Sequence, residues 1–183
     1  MPNEPAASIA SRLFAAPVGL LLMTARHGAI THLTWAEADG REIRAGSAAD
    51  RAVLDRAVAQ LAAYFAGDLR RFDVPLAPAG TPFQRRVWDE ISAIPCGRTR
   101  TYGELARAVG GVARAVGQAC AANPIPLFIP CHRVVAGGGR LGGFSGGLGR
   151  ASKRALLAHE HALPDGADLF APERTVTDAP LGR

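Results

Sequence analysis

The sequence predicts an α+β fold (α/β in two domains), with a small β-sheet and one helix followed by a mainly helical domain that contains a helix-turn-helix. Three observations predict it. Strand-like apolar segments concentrate in the first 35 residues, capped helical patterns begin at residue 47, and prolines and glycines accumulate at 75–82. The chain, at 183 residues, is long enough to bury a core without disulfides. We therefore expect domains at 1–78 and 79–162 and a flexible tail at 163–183.

The first domain is expected to consist of strands and one covering helix. Residues 20–25 and 29–35 have strand-like composition, and a turn is predicted at residues 17–19. Ser47, with an acidic residue three positions later, predicts a helix N-cap, and the helix should end at Gly67. Its apolar residues recur every three or four positions, at Leu54, Val58, Leu61, Ala62 and Phe65. Nothing in this domain predicts catalysis.

The second domain begins with three predicted helices. Capping boxes at 81–84 and 101–104 start the first two, and the third spans 113–122 after a glycine pair. A short helix, a glycine turn and a second helix form the pattern of a helix-turn-helix. Alanine and glycine dominate the last helix, and Arg114 is its one long projecting side chain. Such a helix favours recognition of shape over recognition of base sequence, although close packing against a neighbouring helix is the alternative explanation.

Charge is unevenly distributed along the chain, whose formal net charge is +5. Residues 1–80 carry eight basic and eight acidic side chains, whereas residues 81–160 carry eleven basic and four acidic ones. The last 23 residues carry two basic and four acidic ones. A basic helix-turn-helix domain indicates a polyanionic partner such as nucleic acid, and ordinary solubilising charge is the alternative.

Cysteine usage indicates the compartment. Cys96, Cys120 and Cys131 are odd in number and show no C-x-x-C spacing, which does not fit a disulfide framework. The apolar run at 18–23 is too short to span a bilayer, and the first residues lack a basic signal-peptide start. We expect a cytoplasmic protein with free thiols, no membrane partner, no metal site and no cofactor.

Residues 123–135 contain the strongest indication of chemistry. Three prolines stiffen the backbone before Cys131, and the apolar run 127–129 is expected to bury this segment. His132 and Arg133 follow directly, and their positive charge is expected to favour the thiolate. A buried structural cysteine is the alternative, but core packing gives no reason for His and Arg to follow it.

The segment 129–134 resembles the active-site motif of O6-alkylguanine-DNA alkyltransferases (methylated-DNA–protein-cysteine methyltransferases). The resemblance covers about residues 14–160. It continues in the family's order at residues 101–106, 113–117, 123–124, 143–148 and 156–160. It implies a ribonuclease-H-like first domain and DNA repair, in which the alkyl group on O6 of guanine, and on O4 of thymine, passes once and irreversibly to the protein's own cysteine.

The resemblance also implies catalytic roles. Cys131 would be the nucleophile, and His132 its base acting through a water. Glu160 would be the carboxylate that orients the imidazole, as in other nucleophile–base–acid arrangements. Asn123 would brace the segment between the helix-turn-helix and the cysteine; ending the helix before proline is the alternative explanation.

Base flipping through the minor groove of double-stranded DNA, by a monomer, is implied as well. Tyr102 would rotate the nucleotide and Arg114 would fill the space left in the duplex, while Ala113 and Gly117 would allow close approach. The base pocket would consist of Tyr102, Val134, Phe144 and Ser145. The main-chain carbonyls of Cys131 and Val134 and the Ser145 amide would contact the guanine, and the glycine-rich loop 137–149 would close over it.

The sequence departs from the family pattern at Phe144, where many members have tyrosine. Lys153 can be matched only if the spacing between 148 and 153 is accepted. Two other functions are compatible with these residues. The first is a Cys-His-Glu thiol hydrolase, which would turn over. The second is a non-catalytic DNA-binding module, which gives no reason for the Cys131–His132 pair.

Overall fold

The computed structural model describes residues 9–37 and 44–163. The first part of the chain forms an antiparallel sheet in the order β1-β2-β3, from β1 (Ala10–Ala16), β2 (Gly19–Arg26) and β3 (Ala29–Trp35). The predicted turn at 17–19 joins the first two strands. Strand β1 was not predicted, because its apolar alternation is weak. It forms by pairing in continuous register with β2, from Ala10 opposite Ala25 to Ala16 opposite Gly19.

Helix α1 (Ala48–Ala66) covers the sheet and has the predicted ends. Ser47 and Asp50 form a complete capping box, and Gly67 ends the helix in the left-handed conformation at φ 88°. Asp50 Oδ1 also accepts a 2.7 Å hydrogen bond from the Gly28 amide, which ties the helix to the β2–β3 turn. The hydrogen bonds from Ser47, followed by the one from Gly28, lower the pKa of Asp50.

The second part is mainly helical, which confirms the predicted α+β fold. Its elements in chain order are α2 (Pro82–Ser92), β4 (Arg100–Thr101), α3 (Tyr102–Val109), α4 (Ala113–Ala121), a 3₁₀ turn (Cys131–Arg133), β5 (Val134–Val135) and α5 (Arg150–His159). Both predicted capping boxes are formed, at Thr81 and at Thr101. Strands β4 and β5 pair in parallel, and at two residues each they are too short to show a sequence pattern.

One continuous hydrophobic core joins the two parts. A backbone hydrogen bond also joins β3 to the second part: the Leu33 amide donates to the Pro124 carbonyl over 2.9 Å. Within the helical part, Trp88 Nε1 donates to the Ala119 carbonyl and so fixes α2 against α4. Across residues 9–37 and 44–163, no helix is long and apolar enough to cross a bilayer.

Candidate active site

A cavity of about 530 Å³ lies between α3, α4 and the loop around residue 144. Its lining residues are small, aromatic or sulfur-containing: Tyr102, Ala113, Gly117, Cys120, Ala121, Cys131, Gly143, Phe144 and Ser145. Six of the predicted site residues therefore line one cavity, with Cys131 only 5% exposed on its wall. Its volume falls in the range typical of small-molecule sites.

The segment before Cys131 is held by Asn123, the second residue after α4. Asn123 Nδ2 donates to the Ile129 carbonyl over 2.8 Å, and its Oδ1 accepts from the Ile125 amide over 3.0 Å. Because proline has no N–H group to donate, this segment lacks regular backbone hydrogen bonds, and the Asn123 side chain replaces part of them. The cysteine is thereby fixed relative to the helix-turn-helix.

The expectation that Arg133 favours the Cys131 thiolate is wrong. The Arg133 guanidinium points away from the cavity, with Nε and NH2 donating to Glu160 over 2.9 Å and NH1 donating to the Ile94 carbonyl. Burial raises the pKa of Cys131, while the Asn123 side chain and the Lys153 ammonium act to lower it. Lys153 is therefore the cation that acts on the thiol, and the resting cysteine is protonated.

His132 and Glu160 form a buried pair, 1% and 4% exposed. His132 Nε2 lies 2.8 Å from Glu160 Oε1, so Nε2 carries the proton that this carboxylate accepts. Burial lowers the pKa of His132 and keeps the ring neutral. Among the described residues, Nδ1 is the one buried side-chain polar atom without a hydrogen-bond partner. This nitrogen can act as a base.

Glu160, the residue that follows α5, is surrounded by donors. Oε1 accepts from His132, from Arg133 NH2 and, over 2.7 Å, from the hydroxyl of Tyr64 on α1. Burial acts to raise the pKa of this carboxyl, but the bonds from His132 and Arg133 hold it far below its usual range. Sequence reasoning missed Tyr64. A tyrosine next to the apolar face of this helix was the available signal, because a buried hydroxyl needs a partner.

Lys153 on α5 is the chain's only lysine, and it is fully buried. Its Nζ donates to the carbonyls of Val134 and Gly143 and lies 5.7 Å from the Tyr102 ring centroid. Burial lowers its pKa to about 8. A single lysine in a chain whose other basic residues are all arginine was the signal that could have identified it, since lysine, unlike arginine, loses its charge readily when buried.

The loop opposite the cysteine is fixed from both domains. The Tyr102 hydroxyl donates to the Gly143 carbonyl over 3.3 Å. The Phe144 ring meets the Trp35 ring edge-on, with centroids 5.9 Å apart. Ser145 is exposed beside them, whereas Val134 is fully buried and its carbonyl accepts from the buried ammonium. Phe144 thus forms a wall of the cavity, with Trp35 behind it.

Helix α4 presents a nearly bare face beside the cavity. Ala113 and Gly117 both line it, and Arg114 is exposed next to them. A Cβ placed on Gly117 would meet no atom within 4 Å. Packing inside the protein therefore does not require glycine here, and the close-packing alternative fails at this position. The open space in front of Gly117 suits a ligand that approaches the helix backbone.

Cys120 lines the same cavity, but burial raises its pKa to about 12. Lacking a base, it is a much weaker nucleophile than Cys131. The described residues contain no group of three or more His, Cys, Asp or Glu placed to hold a metal ion. The reactive groups in and behind the cavity include the Cys131 thiol, the neutral His132 imidazole, the Lys153 ammonium and the Tyr102 hydroxyl.

Comparisons with known proteins agree along the chain. The ribonuclease-like domain of 6-O-methylguanine DNA methyltransferase matches residues 9–78, and the DNA binding domain of 6-O-methylguanine DNA methyltransferase matches residues 82–162. The methylated-DNA–protein-cysteine methyltransferase of Mycolicibacterium paratuberculosis is 45% identical over 79% of this chain and 87% of its own length. That of Mycobacterium bovis is 44% identical over 81% and 90%. The crystal structure of Mycobacterium tuberculosis OGT in complex with DNA gives a TM-score of 0.71 at 43% identity, covering 84% of this chain and 94% of that one.

Proposed function

The chain belongs to the 6-O-methylguanine DNA methyltransferase family, and we propose that it repairs DNA by moving the alkyl group from O6 of guanine to Sγ of Cys131. The same transfer from O4 of thymine is included in the proposal. The observation that carries it is the placement of the Cys131 thiol on the wall of a cavity, next in the chain to a buried His132 whose Nε2 is bonded to Glu160.

The reaction is a displacement at the alkyl carbon. His132 Nδ1 takes the thiol proton through a water, and Sγ then forms a bond to the carbon as the bond between that carbon and O6 breaks. The departing base gains a proton and leaves as guanine. Tyr102 lines the cavity, and its hydroxyl, which burial keeps neutral by raising its pKa to about 12, is the proposed donor. The proton held by His132 then passes to solvent, and the tyrosine regains one from solvent. A thioether has no ready route of hydrolysis, so each molecule reacts once.

The proposed substrate is double-stranded DNA, and helix α4 binds in its minor groove. The bare face of α4 supports this, since Ala113 and the open space at Gly117 allow a groove wall to approach the backbone. Arg114 occupies the gap left by the flipped nucleotide in this proposal, and its exposure on α4 supports that role. The excess of basic residues between 81 and 160 attracts the phosphates. The protein acts as a monomer, without metal or cofactor.

The proposed division of the chain into domains at 1–78 and 79–162 is supported by the two family matches, which meet near residue 80. The predicted tail at 163–183 lies, apart from Leu163, outside the described residues. A cytoplasmic location is supported by three cysteines that are all free thiols.

Intact-mass spectrometry after incubation with a duplex containing O6-methylguanine tests the function. We expect a gain of about 14 Da, the mass of one methyl group replacing hydrogen, on the peptide that contains Cys131. Cys131→Ser should gain nothing, and Cys120→Ser should react as the wild type does. Repaired DNA with unmodified protein would instead indicate a hydrolase that turns over. Bound but unrepaired DNA would indicate a non-catalytic binding module.

A further inference from the structure

We propose that Tyr64, in the first domain, is a positioning residue for alkyl transfer, because its hydroxyl bonds the carboxylate that holds the catalytic imidazole. This inference rests on the proposed function and deepens it. It assigns a task in the reaction to a domain in which neither the sequence nor the lining of the cavity indicates one.

The contact is short and buried. The Tyr64 hydroxyl donates to Glu160 Oε1 over 2.7 Å, and the same oxygen lies 2.8 Å from His132 Nε2 and 2.9 Å from Arg133 NH2. Tyr64 is 2% exposed. The other described donors to Glu160 all lie in the second domain, so this hydrogen bond is the direct link between α1 and the His132–Glu160 pair.

Two elements fix the tyrosine in place. The Tyr64 ring meets Phe72 at a centroid distance of 5.2 Å and stands edge-on to His159 at 4.9 Å. His159 Nε2 also lies 2.8 Å from the Tyr64 carbonyl. Since His159 directly precedes Glu160, the tyrosine is tied to α5 by its backbone, its ring and its hydroxyl. Its hydroxyl therefore constrains where the carboxylate can sit.

The hydroxyl also determines how strongly the carboxylate attracts a proton. A hydrogen bond to a carboxylate disperses its charge, and this weakens its stabilisation of a neighbouring imidazolium. Burial raises the pKa of Tyr64, with Glu160 adding to the rise, so the hydroxyl remains a donor at any working pH. The imidazole is consequently protonated less readily in the resting protein and is available as a base at lower pH.

Other titratable or charged groups act on this pair, and each lies on a different segment. They are Cys96 after α2, Arg133 on the 3₁₀ turn and Lys153 on α5. Tyr64→Phe changes none of them and keeps the ring that packs against Phe72. The substitution therefore isolates the hydroxyl.

The test compares Tyr64→Phe with the wild type in the full chain. The rate constant for methyl transfer from O6-methylguanine duplex is measured by rapid quench between pH 5.5 and 9, alongside duplex affinity and the thermal midpoint. We expect the acid limb of the rate profile to move up by about half a pH unit or more, since the carboxylate regains charge. At pH values well below the midpoint of that limb the rate should fall by about threefold, the factor that half a pH unit gives, with unchanged affinity for DNA.

Leu61→Ala is the matched control, because Leu61 is fully buried one turn earlier on α1 and makes no hydrogen bond to Glu160. It should lower the thermal midpoint and leave the pH profile in place. A wild-type profile for Tyr64→Phe would overturn the inference, whatever happens to its stability. Should Tyr64→Phe not fold, Phe72→Leu loosens the ring and should move the limb in the same direction, and no movement would equally overturn it. Failure of the wild type to methylate Cys131 would instead refute the proposed function.

Discussion

The two domains contribute to the cavity at different depths. The helical domain supplies all nine lining residues, from Tyr102 to Ser145. The sheet domain supplies none of these, yet two of its aromatic side chains contact residues of the site from behind. Tyr64 contacts the His132–Glu160 pair, and Trp35 contacts Phe144. The residues that line the cavity thus lie on α3, α4, the 3₁₀ turn and the loop around residue 144, while the side chains behind them lie on α1 and β3. Precision at such a site depends on the supporting layer as much as on the reacting groups.

Trp35 shows how closely the sheet domain supports the loop. Its Nε1 donates to the Val18 carbonyl over 2.9 Å, which fixes the indole at the edge of the sheet. A Cβ on Gly146 would collide with the indole ring, and one on Gly147 would come within 2.7 Å of Nε1. The loop backbone therefore packs directly on the indole, and only glycine permits that approach.

The largest effect is expected from Trp35→Ala, which removes this support. Losing a large, half-buried aromatic side chain should lower the free energy of unfolding by about 2 kcal/mol. The Phe144 wall should also become mobile, which raises the ratio of O6-benzylguanine to O6-methylguanine reaction rates by about tenfold. Urea denaturation and paired rate measurements check both, and Trp35→Phe serves as the control. An unchanged ratio would show that the wall does not depend on the sheet domain.

Arg114→Ala should leave stability unchanged and slow the repair of duplex DNA, an effect of intermediate size among these predictions. The side chain is exposed on α4, so stability should stay within about 0.5 kcal/mol of the wild type. Repair of duplex should slow by about tenfold, while reaction with free O6-benzylguanine, which needs no flipping, should be unchanged. The two rates are measured on the same preparation. Equal losses on both substrates would place Arg114 in the chemistry rather than in base extrusion.

The smallest effect is expected from Asp50→Asn, a change within the sheet domain and far from the cavity. Loss of the charge and of the oxygen that accepts from the Ser47 amide and hydroxyl should cost about 1 kcal/mol at pH 7. The pKa of Asp50 is lowered in the folded protein, so its contribution is complete above the unfolded value of about 3.9 and disappears as the pH falls through the folded value. Urea midpoints of the two proteins should therefore converge as the pH falls below the folded pKa of Asp50. A constant difference would show that the charge is not involved.

Local patterns made the helices of both domains more predictable than the contacts between the domains. Capping boxes at Ser47, Thr81 and Thr101 are encoded within four residues, and the structure forms all three. The hydrogen bond from Tyr64 to Glu160 joins residues 96 positions apart, and no local pattern records it. Such contacts are set by how the two domains pack.

The side chains next to Cys131 show the same limit at close range. The sequence places Arg133 two positions after the cysteine, and proximity in the chain suggested an effect on the thiol. The 3₁₀ turn directs the guanidinium toward Glu160 instead, because two ionised groups that are both buried must pair. Lys153, 22 residues after Cys131 in the chain, has the effect that was expected of Arg133: its charge acts to lower the pKa of the thiol. Side-chain direction within a turn depends on tertiary contacts that spacing does not reveal.

The burial of Lys153 makes the protein its own conformational reporter. The chain has this single side-chain amine, and its Nζ is covered by the loop carbonyl of Gly143 and the carbonyl of Val134. An acylating reagent therefore finds no exposed side-chain amine in this structure. Labelling of Lys153 requires a conformational opening of the protein, which mass spectrometry can detect without any engineered label.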